Sequence, residues 1–251
     1  MSRNVLEQIR IFPEISGKFL EVTGHFQKKS GNFQKFLDIS GRIEPPLHRA
    51  IRLGHLDITK LLLTNDANPN LLNEKEIPPL YYAAMPDLEN STNITSLLLE
   101  KKADVDAPGF FGLTPMACCC RNGDVENAKL LLESGADPNK LDVHGKNALH
   151  HACCSRNDQI IDILKLLIVH VDVKSCDCIN VSPLTVACKQ YVILTLEDCK
   201  DTLKKHDVRI KGILQFLVEK GAHVDGRESD DGHTALQSVR SGEGAPFPDP
   251  A

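Results

Sequence analysis

The 251-residue chain lacks the features that mark several large classes of protein. It has no apolar run of the ~18–20 residues that a membrane-spanning helix needs, so we expect no membrane association. Its N-terminus shows no basic stretch followed by an apolar one, which argues against secretion and for an intracellular location, in the cytoplasm or the nucleus. With a net charge of −5 it also has no basic excess, so we predict no nucleic-acid partner.

Enzyme motifs are missing as well. The sequence contains no Gly-rich phosphate loop, no G-x-S-x-G and no H-E-x-x-H motif. We therefore predict no catalytic residues and no cofactor, and we expect that the chain is not an enzyme.

What the sequence does contain is an internal repeat. Its opening position is a proline or an alanine, and its first five copies lie 33 to 36 residues apart: Pro46, Pro79, Pro115, Ala148, Pro183 and Ala235. Further on, each copy carries three consecutive large apolar residues: Leu61–Leu63, Leu97–Leu99, Leu130–Leu132, Leu166–Ile168 and Phe216–Val218. A period of this length predicts stacked units, none of which buries its apolar face alone.

These motifs resemble those of the ankyrin repeat family. Pro46-Leu-His-Arg-Ala50, Leu149-His-His-Ala152 and Gly221-Ala-His-Val-Asp225 stand where that family carries P-L-H-x-A and G-A-x-V-N. The resemblance covers about residues 44–240. It implies an all-α fold, an ankyrin-repeat solenoid of about five helix-pair units and a partial sixth, with hairpin loops between the units.

The expected domain organisation has three parts. Residues 1–43 form an arm with a seven-residue repeat, marked by Phe12, Phe19, Phe26 and Phe33, which we expect to be flexible. The repeats follow over residues 44–240, and the Gly- and Pro-rich residues 241–251 are expected to be a disordered tail. The units are expected near 44–76, 77–112, 113–145, 146–180 and 181–231, with a partial unit at 232–240.

The partial unit lacks the polar second helix that closes such an array. Repeat arrays need a polar terminal unit for solubility. The sequence therefore leaves two interpretations: the chain is a fragment or short isoform, or a partner covers the incomplete C-terminal repeat.

The units also differ in the length between their two helices. From the small-residue column to the leucine column there are 11 residues in units one and three, 14 in units two and four, and 29 in unit five. The insertion in unit five lies at about 189–209. Because Thr195-Leu-Glu-Asp198 resembles a capping box, an additional helix over Thr195–His206 and a solvated loop are both open.

Nine cysteines admit a metal-binding and a packing interpretation. Cys176 and Cys178 are closer together than the C-x₂₋₄-C pairs of structural zinc sites. The resemblance implies that Cys120, Cys153 and Cys188 occupy a column of small residues between helices, so we predict packing and no metal site. It also implies that His48 and His150 brace neighbouring hairpin loops by hydrogen bonding.

In ankyrin repeat proteins the hairpin tips and the exposed face of the first helix form the recognition surface. Mapped onto this chain by column, the predicted partner-binding residues are Arg52, Glu74, Lys75, Ile77, Met85, Phe110, Phe111, Leu113, Arg121, Asn122, Val143, His144 and Lys146. Phe110 and Phe111 are the most prominent, because exposed aromatics are common anchors of interfaces. The alternative is that one of the two folds back onto its own hairpin.

The predicted function is recognition of a protein partner through these tips and the concave helix face, without a reaction. Two alternatives stay open. The chain is a substrate-recruiting adaptor of a larger assembly such as a ubiquitin ligase, or it is the regulatory repeat array of a larger enzyme.

Overall fold

The computed structural model describes residues 36–37, 43–86, 88–196, 200–224, 234 and 237. Most of the predicted arm, nearly all of the partial sixth unit and the whole predicted tail therefore lie outside the described residues. The chain divides into two compact bodies. The N-terminal body comprises Met1–Pro115 and Leu130–Ala136, and the C-terminal body comprises Met116–Lys129 and Asp137–Ala251.

Helices dominate the described residues and follow one another in five pairs. The pairs are α1 (Pro46–Arg52) with α2 (Leu56–Thr64), α3 (Pro79–Ala83) with α4 (Ser91–Glu100), α5 (Pro115–Asn122) with α6 (Val125–Glu133), α7 (Ala148–Cys153) with α8 (Ile160–Leu167), and α9 (Pro183–Leu196) with α10 (Lys200–Glu219). A short antiparallel ribbon of β1 (Phe36–Leu37) and β2 (Ile43–Glu44) precedes them. Within the described residues, the predicted all-α fold of successive helix pairs is confirmed.

The start of each first helix follows from its opening residue. Pro46, Pro79, Pro115 and Pro183 are the first residues of their helices. Proline suits this position because its missing N–H has no partner within the helix. The helix α7 begins at Ala148 instead, and the Asn147 side chain caps it by accepting a hydrogen bond from the His150 amide at 3.2 Å.

The leucine column forms much of the core. Its central residue is fully buried in units two to five, and these residues are Leu98, Leu131, Leu167 and Leu217. In unit one, Leu62 packs against a cluster of Ala50 and Ile58, which are both 0% exposed. Leu130, which the sequence assigns to the same buried column, is only half-buried.

The predicted packing role of the cysteine column is confirmed. Cys120, Cys153 and Cys188 are buried, with at most 6% of their surface exposed. Burial raises the pKa of the Cys153 thiol well above its usual value, so this side chain stays protonated. A buried protonated thiol packs like a small apolar group.

The longer units two and four use their extra residues to hold the preceding unit. Asn90 Nδ2 donates to the Gly54 carbonyl at 3.1 Å, and Asn157 Nδ2 donates to the Asn122 carbonyl at 3.0 Å. The first contact lies within the N-terminal body and the second within the C-terminal body. We call each of them an asparagine clamp.

Glycine makes both clamps sterically possible. Gly54 and Gly123 have left-handed φ values of 69° and 73°, which favour glycine. A Cβ on Gly54 would lie 2.9 Å from the Glu89 carbonyl oxygen, and a Cβ on Gly123 would overlap the Asn157 side chain. The short units therefore carry glycine where the long units approach.

The described part of the insertion of unit five, residues 189–196 and 200–209, is helical and forms no separate third helix. It lengthens the existing pair instead, because α9 spans 14 residues and α10 spans 20. Thr195 lies within α9, and residues 200–206 begin α10. The segment Tyr191–Leu196 contains no Gly or Pro, so nothing in its composition ends the helix.

Candidate protein-binding surface

Four hairpin loops follow the first four helix pairs: hairpin 1 (68–78), hairpin 2 (104–114), hairpin 3 (137–147) and hairpin 4 (172–182). Hairpins 1, 3 and 4 are fixed by a side chain, because an Asn or Asp oxygen accepts two backbone amides. Asn73 Oδ1 accepts from the Lys75 and Ile77 amides at 2.9 and 3.0 Å. Asp142 Oδ1 binds the His144 and Lys146 amides at 2.8 and 2.9 Å.

Hairpin 4 repeats this arrangement. Asp177 Oδ1 accepts from the Ile179 amide at 3.1 Å and from the Val181 amide at 2.9 Å. These bonds hold the tips in one conformation without a contribution from a partner.

Histidines brace two of these hairpins from the preceding helix. His48 Nε2 lies 3.0 Å from the Ile77 carbonyl oxygen, and His150 Nε2 lies 3.1 Å from that of Val181. Burial lowers the pKa of both imidazoles, to about 4 for His150, so each ring is neutral near pH 7 and donates its Nε2 proton. The predicted bracing role of His48 and His150 is confirmed.

Three of the predicted surface residues are not at the surface. Ile77 is 0% exposed, Leu113 is 9% exposed and Lys146 is 8% exposed. They share one column, at the point where each hairpin turns into the next helix, and the chain carries them inward there. The sequence prediction of accessible side chains at these three positions is wrong.

Hairpin 2 is built differently. It carries Gly109 where the other hairpins have Asn73, Asp142 and Asp177, and the helix before it has Tyr81 where others have His48 or His150. A Cβ on Gly109 would overlap the Tyr81 ring. The tyrosine therefore occupies the space that an Asn or Asp side chain would need.

Phe110 packs against this tyrosine. The two rings meet edge to face, with centroids 6.0 Å apart and an interplanar angle of 76°. Lys75 Nζ also lies over the Phe110 ring, 5.3 Å from its centroid. Phe110 thus folds back, but onto Tyr81 and Lys75 of the preceding loop and helix rather than onto its own hairpin.

Phe111 points the other way and is 60% exposed. Its backbone is left-handed, with φ 54° and ψ 27°, a conformation that costs a non-glycine residue roughly 1–2 kcal/mol. The neighbours hold this strained residue in place: the Gly109 amide donates to the Leu113 carbonyl at 2.9 Å and closes the hairpin.

The other candidates of the N-terminal body differ in how accessible they are. Met85 is 37% exposed, and Glu74 and Lys75 are exposed at the tip of hairpin 1. Arg52 is exposed but engaged, because its Nη2 lies 2.9 Å from Glu44 Oε2 and its Nε lies 3.2 Å from the other carboxylate oxygen.

In the C-terminal body, the exposed candidates Val143 and His144 lie on hairpin 3, and hairpin 4 carries the exposed residue Ile179. Val143 is 62% exposed, and Ile179 on the neighbouring tip is 53% exposed. The two tips are joined directly, since the Cys178 amide donates to the His144 carbonyl at 3.1 Å. Arg121 and Asn122 are half-buried at the end of α5.

Two exposed apolar residues on hairpins 1 and 3 were missed from the sequence. Leu72 on hairpin 1 is 50% exposed and Leu141 on hairpin 3 is 60% exposed. Leu72 directly precedes Asn73 and Leu141 directly precedes Asp142, the residues that fix their turns. Both leucines therefore occupy one column of the repeat, and an alignment by column could have identified them.

The pair of Asp142 and His151 was also missed. His151 Nε2 lies 2.9 Å from Asp142 Oδ2, in addition to the two amides on the other oxygen. Burial alone would raise the pKa of Asp142, but the hydrogen bonds from His151 and from the amides of Lys146 and His144 hold it below its usual value. Burial also lowers the pKa of His151.

Within the described residues, no cluster of three or more His, Cys, Asp or Glu side chains has the spacing of a metal site. Nor does that part of the chain include a helix with the length and apolar character to cross a bilayer.

Comparisons with known proteins agree with the geometry. Residues 47–142 match the family model for ankyrin repeats in three copies, and residues 118–168 match a second model for ankyrin repeats in many copies. The chain is 31% identical over 119 residues to the human transient receptor potential cation channel subfamily A member 1. The aligned residues make up 47% of this chain and 10% of the channel protein.

Two further relatives show the same pattern. The chain is 32% identical over 114 residues to Neurogenic locus notch homolog protein 1 of Xenopus laevis, covering 45% of this chain and 4% of that protein. It is 35% identical over 107 residues to a putative ankyrin repeat protein of Fowlpox virus, covering 42% of this chain and 24% of the viral protein. The chain thus spans a quarter or less of the length of these relatives.

Proposed function

Since this chain is an ankyrin-repeat protein, with matching repeats over residues 47–168, we propose that it docks a protein partner without a reaction. Ankyrin repeats are generally modules for protein–protein interaction. In the N-terminal body the proposed contact is Phe111, together with the exposed candidates Met85, Glu74 and Lys75. In the C-terminal body it is the pair of tips that carry Val143 and Ile179.

The observation that carries the proposal is the exposed side chain of Phe111 on the backbone of a closed hairpin. It combines 60% exposure with a left-handed backbone in a closed hairpin. A rigid aromatic loses little conformational freedom on binding, so more of its apolar contact appears as affinity. Aromatic residues of this kind are enriched among the few residues that dominate interface energies.

The tips of hairpins 3 and 4 support a second contact by the same reasoning. Leu141, Val143 and Ile179 are each more than half exposed. The aspartates Asp142 and Asp177 hold their loops with two amide bonds each. The apolar side chains are therefore displayed by ordered loops.

Three groups with nucleophilic or basic chemistry, His48, His150 and Cys118, are engaged or buried, which favours binding over catalysis at these positions. His48 and His150 donate to backbone carbonyls. Burial raises the pKa of the Cys118 thiol to about 12, so it holds no thiolate near pH 7.

The test uses peptides, because the partner is unidentified. A phage-displayed library of random linear peptides is selected on the full chain, and the recovered peptide is titrated against variants. We expect Phe111→Ala to weaken binding at least about thirtyfold, corresponding to about 2 kcal/mol. The control is Val169→Ala, a residue 74% exposed outside these tips, which should leave affinity unchanged.

Two results contradict the proposal. One is that every recovered peptide binds Phe111→Ala and wild type equally, which contradicts the Phe111 contact. The other is a selection that yields no peptide dependent on Phe111, Val143 or Ile179.

A further inference from the structure

The residue at one position of the first helix correlates with the residue that fixes the following hairpin. Where the helix has His48, Ala117 or His150, the hairpin has Asn73, Asp142 or Asp177. Where the helix has Tyr81, the hairpin has Gly109. One position is three residues into the helix and the other is at the turn, so the pairing is a contact between neighbouring elements and not a local sequence preference.

The contact itself explains the pairing. The Tyr81 ring lies where a Cβ of residue 109 would be, so only glycine fits opposite it. Tyr81 is 5% exposed, and its ring also meets Tyr82 edge to face at 6.1 Å between centroids. The ring is therefore held from the helix side and presents a fixed surface to the hairpin.

Phe110 packs against the Tyr81 ring, and this contact determines the backbone path of hairpin 2. With Phe110 against Tyr81 and the Gly109 amide bonded to the Leu113 carbonyl, the backbone must reverse within two residues. It does so by placing Phe111 in the left-handed region, which directs its side chain outward.

We propose that Tyr81 is the positioning residue of the binding surface: its buried ring excludes a turn-fixing side chain from hairpin 2, holds Phe110, and thereby displays Phe111 to the partner. The inference rests on the proposed function in taking Phe111 as the contact residue. Tyr81 itself does not touch the partner.

The decisive variant is Tyr81→His combined with Gly109→Asp. It gives hairpin 2 the residues of hairpin 4 and leaves both phenylalanines in place. Because a contact between aromatic rings is worth up to about 1.5 kcal/mol, we expect the peptide selected on the wild-type chain to bind about tenfold more weakly. Tyr81→Phe keeps the ring and should bind within about twofold of wild type.

A second readout follows the side chain without a partner. With 4-fluorophenylalanine incorporated, the resonance that disappears in Phe111→Leu identifies residue 111. The change of its shift between H₂O and D₂O measures exposure. We expect this solvent shift to change in the double variant and to stay the same in Tyr81→Phe.

The outcomes separate the two proposals. If Phe111→Ala binds every selected peptide normally, the Phe111 contact of the proposed function fails, whatever Tyr81 does. If Phe111→Ala loses binding but the double variant keeps wild-type affinity and solvent shift, the proposed function stands and the positioning role is overturned. A Tyr81→Phe variant that binds as weakly as the double variant also overturns it, because the ring would then not be the acting group. A purely structural role would lower the melting temperature but leave the affinity of the folded protein unchanged.

Discussion

Hairpins 2 and 3 close with the same backbone hydrogen bond but differ in how their turns are fixed. The Gly109 amide donates to the Leu113 carbonyl at 2.9 Å, and the Asp142 amide donates to the Lys146 carbonyl at 3.0 Å. In hairpin 3 the Asp142 carboxylate accepts hydrogen bonds from two backbone amides and contacts His151. In hairpin 2, Phe110 packs against the ring of Tyr81 in the preceding helix.

The difference shows that the loop sequence alone does not determine what a repeat displays. In hairpin 3 the turn is fixed by the loop itself, and Val143 is exposed as a consequence of its place in the turn. In hairpin 2 the turn is fixed from the preceding helix, and a strained phenylalanine is exposed. The same scaffold therefore offers two ways to present an apolar side chain.

The largest effect is expected when the ring of Tyr81, which supports hairpin 2, is removed. Tyr81→Ala deletes a buried ring and should lower the free energy of unfolding by about 3–5 kcal/mol, as large-to-small aromatic changes in cores do. Phe111→Ala removes an exposed ring and should cost under about 1 kcal/mol. Urea titration of both variants measures the contrast, and equal losses would show that Phe111 is structural.

Acid should separate the hairpins braced by histidine from hairpin 2. The folded pKa of His150 is about 4 against an ordinary value of 6.5, so the unfolded chain binds more protons between these values. The stability contributed by the neutral ring is complete above about pH 6.5 and is lost as pH falls towards 4, by roughly 2–3 kcal/mol.

Melting temperatures between pH 7 and pH 4 measure this effect. His150→Asn should flatten the decline, while His170→Ala, an exposed histidine, should leave it unchanged. Amide exchange should rise first in hairpins 1 and 4, and a uniform rise that includes hairpin 2 would contradict the assignment.

Removing the carboxylate of hairpin 3 tests its self-contained turn. Asp142→Ala deletes three hydrogen bonds and leaves the buried His151 without this partner, which should cost about 2 kcal/mol. Asp142→Asn gives hairpin 3 the residue that fixes hairpin 1 and should recover most of that loss. Thermal unfolding decides between these expectations, and an Asn variant as unstable as the Ala variant would show that the charge, rather than the turn geometry, is what matters.

The smallest effect is expected from an asparagine clamp. Asn157→Ala removes the hydrogen bond to the Asn122 carbonyl and an exposed one that Asn157 Oδ1 accepts from the Gln159 amide at 2.8 Å, and it should cost about 1 kcal/mol. Lys140→Ala, an exposed change on hairpin 3, serves as the control. Hydrogen exchange should increase at the end of α5 in the first variant only, and unchanged exchange would mean that the clamp adds nothing.

The helix pairs and the core were predictable because they depend on local chemistry. Proline at a helix start and leucine in a regular column act within one unit, and both outcomes follow from the printed sequence. The bracing histidines were predictable only through the family resemblance, since their partners are carbonyl groups that every residue carries.

What the sequence did not predict depends on contacts between units. The orientation of Phe110 follows from Tyr81, which is 29 residues earlier, and nothing in hairpin 2 itself announces it. The burial of Lys146 was not predicted because lysine is usually exposed. The apolar residue Ile77 in the same column was the only indication that this position is buried. The contact between His151 and Asp142 was not predictable either, because it depends on how hairpin 3 packs against α7.

The alternation of clamped glycines and clamping asparagines has a consequence for how such a chain can be altered by recombination. Gly54 and Gly123 accept an approach that only the long units make, so a short unit and the long unit after it form a matched couple. Cutting between Pro46 and Pro115, 69 residues apart, exchanges a whole couple and keeps every clamp. Removing unit three alone would set long unit four against unit two, which has no glycine between its helices, and removing unit two alone would leave Gly54 without its clamp. A couple of two repeats is therefore the unit of exchange that keeps the clamps.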